Sequence, residues 1–168
     1  MDSARLFLAL WPGPALRREL LAQRAAWAWD GAASLVATDD LHITLHFIGS
    51  VQRARLPELI AGLKVPFDAF ELRLDRAELW AHGIAVLLAS RVPERLLQLH
   101  AALGVALTKL ALPTDSRAPR PHVTLARRAA GSSPAAVTEP LRWRARGYAL
   151  VESQPAALPR YSVLQRYA

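Results

Sequence analysis

The sequence predicts an α+β fold in which antiparallel or mixed sheets are each covered on one side by helices. Three segments carry apolar residues at helical spacing, and short runs with strand-like composition lie between them. In the most regular of these runs apolar and polar residues alternate, which is typical of strands with one buried face. Interleaved helices and short strands in a chain of 168 residues, 52% of them hydrophobic, indicate one domain with its own core.

The three predicted helices have apolar residues that recur every three or four positions. The first spans residues 15–29, the second 53–64 and the third 93–112. Pro93 suits the first turn of the third helix because proline has no amide hydrogen to leave unbonded there. The connections at 113–121 and 131–134 are rich in proline, serine, glycine and polar residues, which favours loops.

The remaining apolar segments predict eight strands. They span residues 5–11, 34–37, 41–48, 70–79, 84–90, 122–126, 141–151 and 161–167. The apolar run in the first strand is too short for a signal sequence or a membrane span, so we expect it to be buried in the sheet.

Composition restricts the chemistry that this chain can perform. Cysteine is absent, which excludes disulfides, thiolate metal sites and thiol nucleophiles and favours a cytoplasmic protein. The net charge of +7 favours a phosphorylated or polyanionic partner. The basic residues are almost all arginine, however, and a GC-rich genome would give the same bias, so charge alone leaves the partner open.

Residues 41–48 alternate between apolar and polar side chains. The prediction places Leu41, Ile43, Leu45 and Phe47 on one face of a strand, and His42, Thr44 and His46 on the other. A shorter copy occurs at 122–125, where the same alternation predicts that His122 and Thr124 are exposed. One His-x-Thr-Leu segment is an ordinary strand pattern, but two copies indicate an internal duplication whose polar faces meet across a cleft.

Two histidines suit the opening of a cyclic phosphodiester. One side chain must remove a proton from the attacking water while another protonates the departing sugar oxygen, and imidazole performs either role near neutral pH. The hydroxyls of Thr44 and Thr124 are placed to bind the non-bridging oxygens. A metal site built from His42, His46 and the preceding Asp39-Asp40 is the alternative, but zinc spacings such as His-Glu-x-x-His are missing, so we expect no metal and no cofactor.

These segments resemble the two-histidine (2H) phosphoesterase superfamily, and within it the RNA 2′,3′-cyclic phosphodiesterases labelled 2′-5′ RNA ligase. The resemblance is carried by residues 5–10, 41–49, 121–127, 150–153 and 161–164. It implies that residues 1–168 form one bilobal domain with pseudo-twofold symmetry and a central cleft. It further implies that His42 donates a proton to the 3′ oxygen, that His122 accepts the proton of water, and that a 2′-phosphomonoester is left.

Further site residues are expected from position. Alternation places Arg128 on the face of His122, whereas the resemblance implies Arg127 as the phosphate ligand. His46 is a candidate for the groove, His82 for a turn, and Trp80 or Phe47 for stacking on a base. We expect a monomer that does not contact membranes and acts on RNA with 2′,3′-cyclic phosphate ends or on small cyclic nucleotides. Ligation in the reverse direction and a non-catalytic RNA- or nucleotide-binding module are the alternatives.

Overall fold

The computed structural model describes residues 2–168 and has the predicted α+β architecture. The three helices are α1 (Pro14–Ala25), α2 (Leu56–Gly62) and α3 (Glu94–Lys109). α2 and α3 lie within their predicted segments, whereas α1 begins one residue before its predicted segment and ends four residues before its predicted end. α1 starts at a proline, as the first turn of a helix favours. None of the helices in the described chain is long and apolar enough to span a bilayer.

In residues 2–168, ten strands form two antiparallel sheets. They are β1 (Ser3–Leu10), β2 (Ser34–Leu35), β3 (Ile43–Gln52), β4 (Phe70–Leu74), β5 (Arg76–Trp80), β6 (Ile84–Leu88), β7 (His122–Arg127), β8 (Leu141–Ala145), β9 (Tyr148–Ser153) and β10 (Tyr161–Tyr167). The large sheet has the order β10-β9-β1-β3-β7-β6-β5, with β2 beside β7, and β4 pairs with β8 in the small sheet. The predicted fold class is confirmed.

The large sheet consists of two halves that meet at its middle. β3 and β7 are joined by a single residue pair, Ile43 with Val123, whereas β1 pairs with β3 and β6 pairs with β7 over most of their lengths. One half contains β10, β9, β1 and the motif strand β3, and the other contains the motif strand β7 with β6, β5 and β2. This arrangement brings the two His-x-Thr-Leu segments side by side at the junction.

The helices and the small sheet cover one face of the large sheet. Leu20 of α1, Leu59 of α2 and Leu103 of α3 belong to the same buried cluster as Leu8 and Leu87 of the sheet. The opposite face has a smaller apolar cluster, formed by Phe7, Ala9, Ala149 and Val151. Because no helix in the described part of the chain covers this opposite face of the large sheet, it is open to a cleft.

Two predicted strands are wrong because each is divided between the two sheets. The segment 70–79 breaks at Asp75, whose carboxylate binds the backbone and hydroxyl groups of Ser90. The segment 141–151 breaks before Tyr148, where a Cβ at Gly147 would overlap the carbonyl oxygen of Tyr167. Only glycine fits this close backbone approach. The apolar pattern continues across both breaks because the strands on either side have buried faces.

Candidate active site

His42 lies immediately before β3, and its ring is held by backbone and side-chain groups. Its Nδ1 lies 2.6 Å from the carbonyl oxygen of Asp40. Because a carbonyl can only accept a hydrogen bond, Nδ1 carries the proton, and in the neutral ring Nε2 keeps its lone pair. Nε2 lies 3.0 Å from Oγ1 of Thr44, whose hydroxyl donates to it.

His122 repeats this arrangement at the start of β7. Its Nδ1 donates to the carbonyl oxygen of Arg120, at 2.8 Å, again two residues upstream. The same tautomer therefore leaves Nε2 as the acceptor. Unlike that of His42, the Nε2 of His122 has no hydrogen bond to another described residue, so its lone pair is free.

The chain segment before β3 is fixed by Arg17 of α1. Its guanidinium donates to the carbonyl oxygens of Pro12, Thr38 and Leu41 at 2.6–3.1 Å. Three carbonyl partners satisfy a half-buried cation without a carboxylate and hold the turn that contains Asp40. The three hydrogen bonds of Arg17 therefore position the carbonyl group of Asp40, which orients the ring of His42.

Aromatic rings surround the two imidazoles unequally. One tilted indole, that of Trp80, lies 4.6 Å from the ring of His122. Three rings surround His42, with centroid distances of 4.9 Å for Phe7, 5.3 Å for Tyr161 and 5.4 Å for Trp11. His42 is therefore the more enclosed of the two.

Burial and positive charge lower the pKa of both histidines. Desolvation is the main cause for His42, and with the charges of His122, Arg127 and Arg17 it lowers the pKa to about 4 despite the hydrogen bond to Asp40. Burial likewise lowers the pKa of His122, helped by the charges of Arg120 and Arg127. Because a lowered pKa favours the deprotonated form, His42 is neutral at pH 7 in the ligand-free protein.

A β-bulge at the leucine of each motif decides which side chains face the cleft. Thr44 pairs with Ala9 and His46 with Leu8, so Leu45 is the extra residue in β3. Thr124 pairs with Val86 and Ala126 with Ala85, so Leu125 is the extra residue in β7. After a bulge, the side chains that alternation would place on one face of the strand lie on the other. Both motifs have their bulge at the same position, the leucine.

The bulge in β3 overturns the predicted faces of His46 and Phe47. His46 is only 4% exposed, stacks on His100 of α3 at 4.0 Å, and donates from Nε2 to the carbonyl oxygen of His100. Phe47 is 76% exposed and its ring contacts Phe7 on the cleft face. The prediction that His46 shares the face of His42 is therefore wrong, because Leu45 takes the additional buried position. His46 is nevertheless among the residues that line the cleft.

The bulge in β7 has the corresponding effect on the two arginines after the second motif. Arg127 pairs with Ser34 and lies along the cleft, where its charge acts on both His42 and His122. Arg128 follows the end of the strand with a φ of +54° and does not line the cleft. The alternation that places Arg128 on the face of His122 is wrong for the same reason as in β3.

Removal of the charge of Arg127 should raise the pKa of both histidines. In Arg127→Gln the positive charge that disfavours each imidazolium is lost, while burial remains. Titration of the two imidazole Cε1–H resonances by NMR checks this shift. Arg128→Gln is the matched control, and equal shifts in both variants would show that Arg127 is not the local cause.

The cleft brings together the polar residues that the sequence singles out at both motifs. It has a volume of about 1480 Å³ and is lined by His42, Thr44, His122, Thr124 and Arg127. The loop before His122 and the segment before β10 form its rim. Within residues 2–168, no three histidine, aspartate or glutamate side chains form a cluster able to hold a metal ion.

The enclosure of His42 and the other basic residues of the cleft could not be predicted from the two motifs. Tyr161 and Trp11 contact the ring of His42, and Arg5 lies on the cleft face of β1. The sequence does indicate the face on which Arg5 lies. Arg5, Phe7 and Ala9 are spaced two residues apart, and residues at this spacing share one face of a strand. Tyr161 lies in a segment that carries the family resemblance, but nothing in that segment connects it with His42, because its strand is distant in sequence from both motifs.

Comparisons of sequence and of structure match this chain to the same group of proteins. The sequence profile of the 2′-5′ RNA ligase superfamily matches residues 14–154. The RNA 2′,3′-cyclic phosphodiesterase of Escherichia coli (strain K12) is 32% identical to this chain over an alignment 179 residues long. The alignment covers 99% of this chain and 97% of that protein. The crystal structure of E. coli LigT in apo form has a TM-score of 0.83 at 28% identity and covers 100% of this chain and 98% of that one. The structure of LigT complexed with 3′-AMP has a TM-score of 0.82 at 28% identity, with 99% and 98% covered.

Proposed function

Because the chain belongs to the 2′-5′ RNA ligase superfamily and is a phosphoesterase of that family, we propose that it hydrolyses RNA 2′,3′-cyclic phosphates without a metal ion. The product is a 2′-phosphomonoester, with His42 as the proton donor and His122 as the proton acceptor. The observation that carries this proposal is the matched pair of imidazoles. Each has Nδ1 bound to a backbone carbonyl and lines the same cleft, and Nε2 is free in His122 and bound by the Thr44 hydroxyl in His42.

The free lone pair on Nε2 of His122 supports its assignment as the general base. Its pKa is lowered by burial and positive charge, so the ring is neutral and ready to accept a proton near neutral pH. A water molecule next to Nε2 loses its proton to the ring as its oxygen attacks phosphorus. His122 then carries the positive charge, and its Nδ1–H remains bound to the carbonyl of Arg120.

His42 supplies the proton that the leaving group needs. As the bond between phosphorus and O3′ breaks, O3′ takes the proton from Nε2 of His42, and phosphate remains on O2′. The lowered pKa means that His42 must first gain this proton, and an anionic phosphate bound beside the ring favours the imidazolium. Substrate binding and protonation of His42 are therefore coupled.

Thr44, Thr124 and Arg127 are proposed to bind the phosphate oxygens, and the Thr44 hydroxyl becomes free to donate to the phosphate once Nε2 of His42 is protonated. The two hydroxyls follow the two histidines at equivalent positions on neighbouring strands, so they approach the phosphate from both halves of the cleft. Arg127 makes no ion pair with any described residue and lies near both imidazoles. A guanidinium binds two phosphate oxygens at once and stabilises the charge that moves onto them in the transition state.

A nucleotide substrate agrees with the relatives and with the shape of the cleft. The E. coli relative is named as an RNA 2′,3′-cyclic phosphodiesterase, and LigT has been crystallised with 3′-AMP. Phe47 offers an exposed ring on the face of Thr44, whereas Trp80 already contacts Arg120 and His122. We therefore assign base stacking to Phe47 rather than to Trp80.

The proposed reaction is tested with a cyclic-ended substrate in the presence of a chelator. Purified protein in EDTA should convert a nucleoside 2′,3′-cyclic phosphate or a cyclic-ended oligonucleotide to the 2′-phosphate, because the acid, the base and the phosphate ligands are all side chains. Product identity is read by ³¹P NMR or chromatography against 2′- and 3′-phosphate standards. Binding without turnover would contradict the catalytic function, and complete loss on chelation would contradict metal independence.

A further inference from the structure

The cleft is larger than a mononucleotide requires. Its volume of about 1480 Å³ exceeds the roughly 300–1,000 Å³ that is usual for small-molecule sites. It continues from the two histidines past Phe47 to the outer end of β1, where Arg5 and Ser153 form part of its lining. This extension lies in the half of the sheet that contains the first motif.

Five arginines line the cleft, and most of them already have interactions. Arg117 is paired with Asp115, Arg120 is paired with Glu78 and lies over the ring of Trp80, and Arg160 lies over the ring of Tyr161. Arg127 acts on the two histidines. The side chain of Arg5 is exposed and has no hydrogen bond, ion pair or aromatic contact with any other described residue. It is therefore a second guanidinium available to an anion, distinct from Arg127.

Strand register gives the distance along β1 between Ala9, which lies opposite Thr44, and Arg5. Ala9 pairs with Thr44, Phe7 with Phe47, and Arg5 with Ser50, so the three positions follow one another along one face. Four residues of antiparallel strand span about 13 Å. An arginine side chain extends over part of this distance, so one nucleotide fits between its guanidinium and the reacting phosphate, and the base of that nucleotide would lie at Phe47.

We propose that Arg5 binds the phosphodiester on the 5′ side of the terminal nucleotide. The proposal rests on the function given above, and it specifies the end of an RNA chain as the preferred substrate. In a 2′,3′-cyclic nucleotide the 5′ carbon lies across the ribose from the reacting phosphate, so the upstream phosphate points away from the histidines. A positively charged groove that follows the backbone is a common means of binding single-stranded RNA.

The proposal is tested with three substrates that share one reactive end. These are adenosine 2′,3′-cyclic phosphate, its 5′-phosphorylated form, and a dinucleotide with the same cyclic end. The wild type should show a kcat/KM about tenfold higher for the two substrates that carry the additional phosphate, as expected for one charge-assisted contact. Arg5→Gln should reduce this ratio to near one, and the ratio should fall with added salt.

Two control variants decide which arginine is responsible. Arg18→Gln removes an exposed charge from α1, on the helix-covered side of the sheet, and should keep the tenfold ratio. A ratio lost in Arg120→Gln but kept in Arg5→Gln would overturn the assignment, as would an equal loss on all three substrates in Arg5→Gln. If the wild type hydrolysed none of them, the proposed reaction would be wrong instead. Calorimetric binding of the 3′-phosphorylated dinucleotide to wild type and Arg5→Gln then tests the subsite alone.

Discussion

His42→Ala and His122→Ala should each lower kcat for a 2′,3′-cyclic phosphate by about 100-fold or more, because each removes one partner of a general acid–base pair. The two rings occupy equivalent places and are held by equivalent carbonyls, so neither can take over the role of the other. Steady-state kinetics on one cyclic mononucleotide measures both losses. Binding of the product should persist, since the threonines and Arg127 remain.

The pH profiles of these variants separate the acid from the base. The wild type should show a bell, rising as His122 loses its proton and falling as His42 loses its own. The alkaline limb should be lost in His42→Ala and the acidic limb in His122→Ala. Because bound phosphate raises the pKa of His42 from about 4, the bell for kcat should lie at higher pH than the bell for kcat/KM.

A control for these variants is His82→Asn, which replaces an exposed histidine outside the cleft. His82 has a φ of +64°, as its predicted place in a turn requires, and asparagine tolerates this conformation. Its kinetics should match those of the wild type. Near wild-type activity in either alanine variant would show that one of the two roles is misassigned, and exchanged pH limbs would reverse the assignment.

Most of the architecture could be predicted because it follows from periodicity. Helical spacing located α1, α2 and α3, and the two copies of His-x-Thr-Leu located the strands that meet at the centre of the sheet. Regular alternation also gave the correct face for His42 and Thr44, and for His122 and Thr124, because these residues precede the bulges. Short-range pattern therefore predicts the site up to the leucine of each motif.

Beyond that leucine, the alternation of polar and apolar residues did not predict which side chains face the cleft, because a bulge depends on the neighbouring strand. Leu45 and Leu125 are buried in either register, so hydrophobicity does not reveal that each is an extra residue. The polar His46 and the apolar Phe47 then occupy positions opposite to those expected from their character. His46 tolerates burial because the carbonyl oxygen of His100, on a helix distant in sequence, accepts its Nε2–H. An exposed Phe47 has no such structural explanation, which agrees with a role in binding.

Thr44→Val and Thr124→Val should each lower kcat by about 100-fold, the scale measured when one donor to a transition-state oxygen is removed. Valine has nearly the same shape as threonine and suits a strand, so the sheet should be retained while the hydroxyl is lost. The hydroxyls are proposed to strengthen their hydrogen bonds as charge moves onto the phosphate oxygens. The loss should therefore appear mainly in kcat, with a smaller change in KM.

Serine variants separate the hydroxyl from the methyl group. Thr44→Ser and Thr124→Ser keep the donor and should retain activity within about tenfold of the wild type, because the hydroxyl can still reach the phosphate. Thr44 also donates to Nε2 of His42, so Thr44→Val should additionally alter the titration of that imidazole, whereas Thr124→Val should not. If the valine and serine variants lost activity equally, the threonines would act through packing, and the phosphate would be bound by Arg127 and the two histidines alone.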